Sequence, residues 1–524
     1  HYKKSAMQKN PYALLMLGNL YYFGDIIKKD YSRAKKYYHL AEEYNNYEAS
    51  FMIGNIHYYG YGGNINYSKA KKHYKIGAKK GHQYSELMLG NIYYFGLGVE
   101  KDYSKAKKYY KLAMKQNNID ALLMIGNIYF YGNGGKQNYQ KSYKYFELSS
   151  RQENINALLM LGIHYYFGYY VKQDYSKAFS YFQQSAKKNC EYASTLLGNL
   201  YYFGHGVENN YEIAKYFYDI NGENRNSISS LMLGNLYYLG KGVDQSYLKA
   251  REYYELSAKN NNSDALLMLG NLHYFGNETI RDYSKAIEYF ESSANFDNSD
   301  ALLMLGNLYY YGNGVEKNYI KAKKYYELSA KLNNSYANLK LGDLFFFGYG
   351  LNKNYFTAKD YYNKSSKQNN SFAFLKLGNL YENGHGVLKS HDIAIFNYDT
   401  SAKLNNPYAL FKLGNLYYIE NNFSKSEQYY KKYLQDHNLF YDEITDNSFK
   451  RYYLVENDKS ILDQNISYVY LILGNIFYEK KEFIKSKEYF EFSDKQNNSY
   501  AQLMLGNLYY YGQGVEQNYM ISKE

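Results

Sequence analysis

The sequence predicts an all-α fold, a solenoid of antiparallel helix pairs with a 36-residue period. Three observations predict it. First, a Leu/Ile-Gly pair, nearly always followed by Asn, recurs at fixed spacing. Its glycines are Gly18, Gly54, Gly90, Gly126, Gly162, Gly198, Gly234, Gly270, Gly306, Gly342, Gly378 and Gly414, with two further copies at Gly474 and Gly506. Second, the 524 residues contain 2 Pro against 40 Gly, the balance of a chain that is nearly all helix and turns on glycine. Third, each copy carries two apolar stripes at helical spacing. One supersecondary unit is therefore stacked many times, and it buries its faces against its neighbours.

The copy around Gly306 shows the elements in order. Ala301, Leu305, Leu308 and Tyr309 form the stripe of a first helix, with Gly306 inside it so that a neighbouring helix can approach closely. Gly312, Gly314 and Val315 break that helix. Asn318 is placed to cap a second one, and the equivalent position holds Asp30, Asn66, Asp102, Ser246 and Ser390 in other copies, all capping residues. Ala322, Tyr325, Tyr326 and Ala330 form the second stripe, and Asn333-Asn334-Ser335 turns the chain into the next copy.

The copies at Gly414 and Gly474 lack about four residues of the glycine loop. Between them lies an insertion, giving three expected segments: a repeat array over 1–436, an insertion over 437–464, and further repeats over 465–524 with the last one truncated. The insertion is acidic in part (Asp442, Glu443, Asp446, Glu456, Asp458, Asp463), so it is a place where the stack bends, a partner docks, or a repeat has decayed. By repeat phase both ends fall inside a second helix, the expectation for a segment of a longer array.

Composition excludes several classes. With 76 Tyr and 28 Phe the chain has too much ring surface to stay disordered in water. The lone Cys190 permits no internal disulfide, which favours a reducing, cytoplasmic compartment. No run of 18 apolar residues is present, so no membrane-spanning helix is expected. The formal net charge of +12 is a mild excess for this length.

The pattern Leu305, Gly306, Tyr309, Gly312, Gly314, Val315, Ala322, Tyr325, Tyr326, Ala330 resembles the Sel-one-like repeat, a subclass of the tetratricopeptide-like helical repeats. The resemblance covers essentially the whole chain; the shortened copies look more like plain tetratricopeptide units. It implies a right-handed superhelical α-solenoid and a scaffold or adaptor role toward protein partners.

Catalytic chemistry finds little support. Ser-x-x-Lys strings such as Ser104 to Lys107 open second helices and have no Ser-Asp-Asn or Lys-Thr-Gly companion. The glycine loops lack the Lys-Ser/Thr of a phosphate-binding loop. No catalytic residue, cofactor or metal is assigned. The histidines show no metal spacing, His57 and His273 standing in a core Tyr row and His205 and His385 in glycine loops. Methionines share one row (Met16, Met52, Met88, Met268, Met304) that also holds Lys340, Lys376 and Lys412, a semi-exposed packing position rather than a copper ladder. Lysine pairs such as Lys107-Lys108 lie beside tyrosines on second helices, with acids interleaved. That pattern reads as a solvated face ahead of a nucleic-acid surface.

The partner site is placed elsewhere. Asn follows the repeat glycine in twelve of the fourteen copies, the exceptions being Ile163 and Asp343. In the tetratricopeptide pattern this position looks into the concave groove, and three residues on comes a Tyr. An amide can both donate to and accept from a peptide backbone. The expected contact residues are Asn199, Tyr202, Asn235, Tyr238, Asn271, Tyr274, Asn307 and Tyr310, facing a protein or an extended peptide. Two other functions stay open: a nucleic-acid-binding solenoid, and an accessory repeat region of a larger enzyme such as a kinase. Passive copying of the Asn row by duplication, or hydrogen bonding within the repeat, is the competing account of the row itself. Oligomeric state is left undetermined by these residues.

Overall fold

The computed structural model describes residues 1–220, 226–276, 281–445 and 459–523. Every described element of secondary structure is a helix, and consecutive helices pair antiparallel in units of about 36 residues. The chain falls into two compact units, His1–Leu233 with Lys241–Val243, and Gly234–Gly240 with Asp244–Glu524.

In the first unit each repeat is built as repeat three shows. Its first helix, Gln83–Phe95, ends on a left-handed Gly96, and its second, Tyr103–Met114, starts on Asp102, whose carboxylate accepts from the Lys105 amide. The core lies between successive repeats, for example Leu87, Ala106, Tyr110 and Ala113 against Ala121, Ile125 and Ile128. That arrangement is why no single pair is self-sufficient. Buried serines tie the two helices of a repeat together. Ser149 and Ser185 each donate through Oγ to the first carbonyl of their own first helix, Ile119 O and Ile155 O, both at 3.0 Å.

In the second unit the copy read from the sequence, Ser299–Tyr311 and Tyr319–Lys331, is in place. Asn318 Oδ1 accepts from the Lys321 amide at 2.9 Å, and Gly312 ends the first helix at φ +81°. A β-carbon at Gly306 would overlap the ring of Tyr326. That helical glycine therefore exists to let a fully buried aromatic lie directly on the backbone. Asn333 makes the inter-repeat turn in the left-handed region (φ 62°), which Asn tolerates better than most residues. Asn334 then does two jobs: its Oδ1 caps the next helix at the Ala337 amide, and its Nδ2 donates to Asp300 Oδ1 at 2.7 Å. The same bond joins Asn298 to Asp264 at 3.0 Å.

In the shortened copies Asn421 and Lys481 take the left-handed turn that glycine takes elsewhere. The insertion read over 437–464 is entered by a helix, Phe423–Thr445, and left by another, Lys459–Glu479. Asp446, Glu456 and Asp458 lie outside the described residues.

Candidate partner-binding face

Each first helix carries four positions spaced i, i+4, i+7 and i+11, which stand on one helical face. In repeat three they are Tyr84, Met88, Asn91 and Phe95. The two ends of this face are open. The terminal aromatic, just before the glycine, is 50–60 % exposed in all of Phe23, Tyr59, Phe95, Tyr131, Phe167 and Phe203. Tyr12, Tyr84 and Tyr192 are exposed at the other end. The middle is a floor: Met52, Met88 and Met160 are buried, and the Asn55 and Asn91 amides pack on the sulfurs of Met52 and Met88 at 4.0 and 3.7 Å.

The asparagines are turned toward the second helix of their own repeat. Tyr38 Oη donates to Asn19 Oδ1 at 2.8 Å, and Tyr74 and Tyr110 do the same to Asn55 and Asn91. Among the eight residues singled out from the sequence, Asn199 accepts from Tyr218 at 2.8 Å, Asn235 from Tyr254 at 2.9 Å and Asn307 from Tyr326 at 2.7 Å. Asn271 faces Phe290, which has no hydroxyl, and its Oδ1 has no hydrogen-bond partner. Asn271 and Asn307 are each 1 % exposed. Burial drives the phenols of Tyr218 and Tyr326 far above the ordinary tyrosine value, so they stay protonated and can donate to these amides.

The exceptions follow the same pairing. Asp343 accepts from Tyr362 at 2.8 Å. Ile163 lies where the second helix has Phe182 in place of a tyrosine, so both polar partners are absent together.

The tyrosines three residues after the Asn are packing residues. Tyr202, Tyr238, Tyr274 and Tyr310 meet, edge to face, the tyrosine that opens the second helix, with centroids 5.2–5.4 Å apart. The Tyr274 hydroxyl reaches the next repeat, where Asn313 Nδ2 donates to it at 2.7 Å. In the first unit the rings that face outward are the next residue along, the row from Phe23 to Phe203, whereas the same position in the second unit holds Leu239 and the half-buried Phe275 and Tyr311. That row's signal was available, since it stands four residues after the Asn and immediately before the glycine that ends the helix.

From repeat ten the floor changes character. Lys340, Lys376 and Lys412 replace methionine, and each reaches back one repeat: to Tyr311 Oη at 3.1 Å, Asp343 Oδ1 at 3.4 Å and Glu382 Oε2 at 3.1 Å. On the second helices, lysines lie over the rings of the core Tyr row, Lys107 over Tyr129 at 4.0 Å and Lys321 over Tyr309 at 5.1 Å. Those ring faces are covered by the chain's own cations, which leaves no stacking platform for bases there.

Among the described residues no group of three or more His, Cys, Asp or Glu side chains is arranged to hold a metal ion. No helix among them is long and apolar enough to cross a membrane. A sequence model of the Sel1 repeat matches residues 11–43, 48–82, 83–118, 119–154, 155–190, 192–220, 227–262, 263–295, 299–334, 335–370, 373–406 and 499–523.

The chain belongs to the Sel1 repeat family.

The stretch between the last two matches holds the copies with shortened loops, so the Sel1 pattern stops where the glycine turn is lost. Among solved structures, the chain is similar to c5321, a protective antigen of uropathogenic Escherichia coli strains displaying the same kind of repeat fold. That likeness is 27 % identity over 82 % of this chain and 94 % of the other, with a TM-score of 0.59. A Sel1 repeat protein from Oxalobacter formigenes aligns at 24 % identity over 59 % and 89 % of the two chains, with a TM-score of 0.43. No curated protein matches. Sel1 repeats generally serve as scaffolds for protein–protein interaction.

Proposed function

We propose that this Sel1 repeat chain is a non-enzymatic scaffold or adaptor that holds a partner polypeptide along the face made by its first helices. The observation that carries the reading is the row Phe23, Tyr59, Phe95, Tyr131, Phe167 and Phe203, a large ring half-exposed at the same place in six successive repeats. Rings of this size anchor protein interfaces because they bury much area with few rotors, and an apolar set this regular marks an interaction site. Within each unit the Asn row, Asn199 in the first and Asn235, Asn271 and Asn307 in the second, floors the first-helix face, with Tyr202 and then Tyr238, Tyr274 and Tyr310 bracing it. In this reading the amides hold the floor in register while the terminal rings make the contact.

The test is a triple substitution, Phe95→Ser, Tyr131→Ser and Phe167→Ser, in the full chain. Those rings are exposed, so helicity by circular dichroism should be unchanged. Proteins recovered by affinity purification and quantified by mass spectrometry should be depleted by about tenfold or more relative to the parent chain, the loss of one or two anchor residues. A control set, Lys71→Ser, Lys107→Ser and Lys108→Ser on the second helices, should leave the recovered proteins unchanged. An identical recovered set from parent and triple variant sinks the reading; loss of nucleic acid with the control set would favour the nucleic-acid alternative.

A further inference from the structure

Repeat two departs from a pairing that recurs within other repeats. There a Tyr of the first helix stacks flat on a Tyr of the second, as Tyr93 does on Tyr109 (5.8 Å, 2°) and Tyr129 on Tyr145 (5.8 Å, 5°). In repeat two both members of the pair are histidine. His57 stacks on His73 with centroids 6.0 Å apart and planes 17° apart. A third imidazole, His39 on the second helix of repeat one (Tyr31–Glu43), meets His73 edge to face at 5.5 Å. One carboxylate serves this column: Glu42 Oε1 lies 2.9 Å from His73 Nδ1 and Glu42 Oε2 lies 3.5 Å from His39 Nδ1.

The remaining charges near the column are positive. Lys35, on the same helix as His39 and Glu42, and Lys69, on the second helix of repeat two, both act on His57. The column joins three helices, Tyr31–Glu43, Tyr47–Tyr59 and Tyr67–Lys79, across the repeat boundary. A neutral imidazole stack packs there as the Tyr pair does elsewhere. Protonation of His57 in repeat two and His39 in repeat one adds positive charge on both sides of the boundary, beside Lys35 and Lys69, and the repulsion across the boundary eases when the repeats separate.

We propose that this imidazole column makes the junction between repeats one and two an acid-labile hinge, more sensitive to acid than the junction between repeats three and four, where Lys111, Tyr129 and Tyr145 stand in place of the three histidines. The sign follows from the groups present. Burial, then Lys35, holds His57 below the ordinary imidazole value, at about 4. Burial, then His73, lowers His39 as well. Both therefore bind protons more readily when the junction is open. Their contribution to closure is complete above about pH 6.5 and is lost as the pH falls toward 4. Burial works to raise Glu42, but its hydrogen bond with His73 leads a set of contacts that leave it lowered.

Hydrogen exchange of the full chain, corrected for the intrinsic pH dependence of amide exchange, tests this. Between pH 7.5 and 4.5, protection of Tyr31–Glu43 and Tyr47–Tyr59 should fall at least about tenfold more than that of the equivalent helices Tyr103–Met114 and Ile119–Tyr131. The double variant His57→Tyr, His73→Tyr, which installs the array's own pair, should remove the extra loss. His39→Gln, a change at a partly exposed site that carries Gln183 in repeat five, should remove part of it and serves if the double variant does not fold. Equal loss at both junctions in the parent chain, or an extra loss that survives His57→Tyr, His73→Tyr, overturns the proposal.

Discussion

Repeats eight and nine begin their first helices with the same ten residues, Ser263 to Leu272 and Ser299 to Leu308. Their asparagines are equally buried, at 1 % exposed. Yet Asn307 accepts a hydrogen bond from Tyr326 at 2.7 Å, while Asn271 Oδ1 has no partner. The difference lies nineteen residues downstream, in Tyr326 against Phe290. The role of the Asn is thus a property of the helix pair and not of the helix that carries it. Near-identical repeats let the array show this as a natural double comparison, with the backbone and the floor methionines Met268 and Met304 held constant.

The largest effect expected from this pair is one that both repeats share. Gly270 and Gly306 lie under the rings of Phe290 and Tyr326, where a β-carbon overlaps the ring whether or not it bears a hydroxyl. Gly306→Ala and Gly270→Ala should each lower the local opening free energy of their second helices by about 3 kcal/mol, the upper range of overpacking a filled core. Native-state hydrogen exchange of Tyr319–Lys331 and Tyr283–Ala294 reads this helix by helix. A loss confined to repeat nine would mean that the hydroxyl, not the ring, sets the close approach.

Next in size is the amide itself. Asn307→Ala strands a buried Tyr326 hydroxyl and should cost about 1–3 kcal/mol, whereas Asn271→Ala strands nothing and should stay within about 1 kcal/mol of neutral. Phe290→Tyr supplies the missing donor and should raise the stability of repeat eight by about 1 kcal/mol, a gain that vanishes when Asn271→Ala is added. Equal costs for Asn271→Ala and Asn307→Ala would show that the methionine contact, common to both, carries the energy.

This pairing also marks where the sequence could be read and where it could not. The cap at Asn318, the turn at Asn333-Asn334, the close approach at Gly306 and the helix end at Gly312 are legible, because each is a local requirement of the backbone with a short menu of residues that meet it. The tyrosines were harder. In Tyr93-Tyr94-Phe95 three rings follow one another at about 100° around the helix. Nothing local says that Tyr93 stacks on Tyr109, that Tyr94 meets Tyr103 edge-on, and that Phe95 is left half-exposed. That assignment is made by where the second helix lies, and so was the fate of the Asn row, expected on family grounds to look into a groove. Interleaved charge marks the basic face of the second helices, but nothing local says that Lys107 rests on Tyr129.

The smallest expected effect is the most discriminating, and it lies in repeat five. There the array has already exchanged both members of the pair, Ile163 for Asn and Phe182 for Tyr. Replacing both polar partners by apolar ones of similar shape is close to neutral, whereas changing one alone buries an unmatched group. Ile163→Asn with Phe182→Tyr should restore the hydrogen-bonded pair and leave the protection of Tyr175–Ala186 within about 0.5 kcal/mol of the parent. Phe182→Tyr alone should lower it by about 1–2 kcal/mol, since its hydroxyl would point at an isoleucine. A double variant no better than the worse single one would show that repeat five has repacked around Ile163. In that case the pair is not an interchangeable bolt between the two helices, and the inference from repeats eight and nine would hold only for those two.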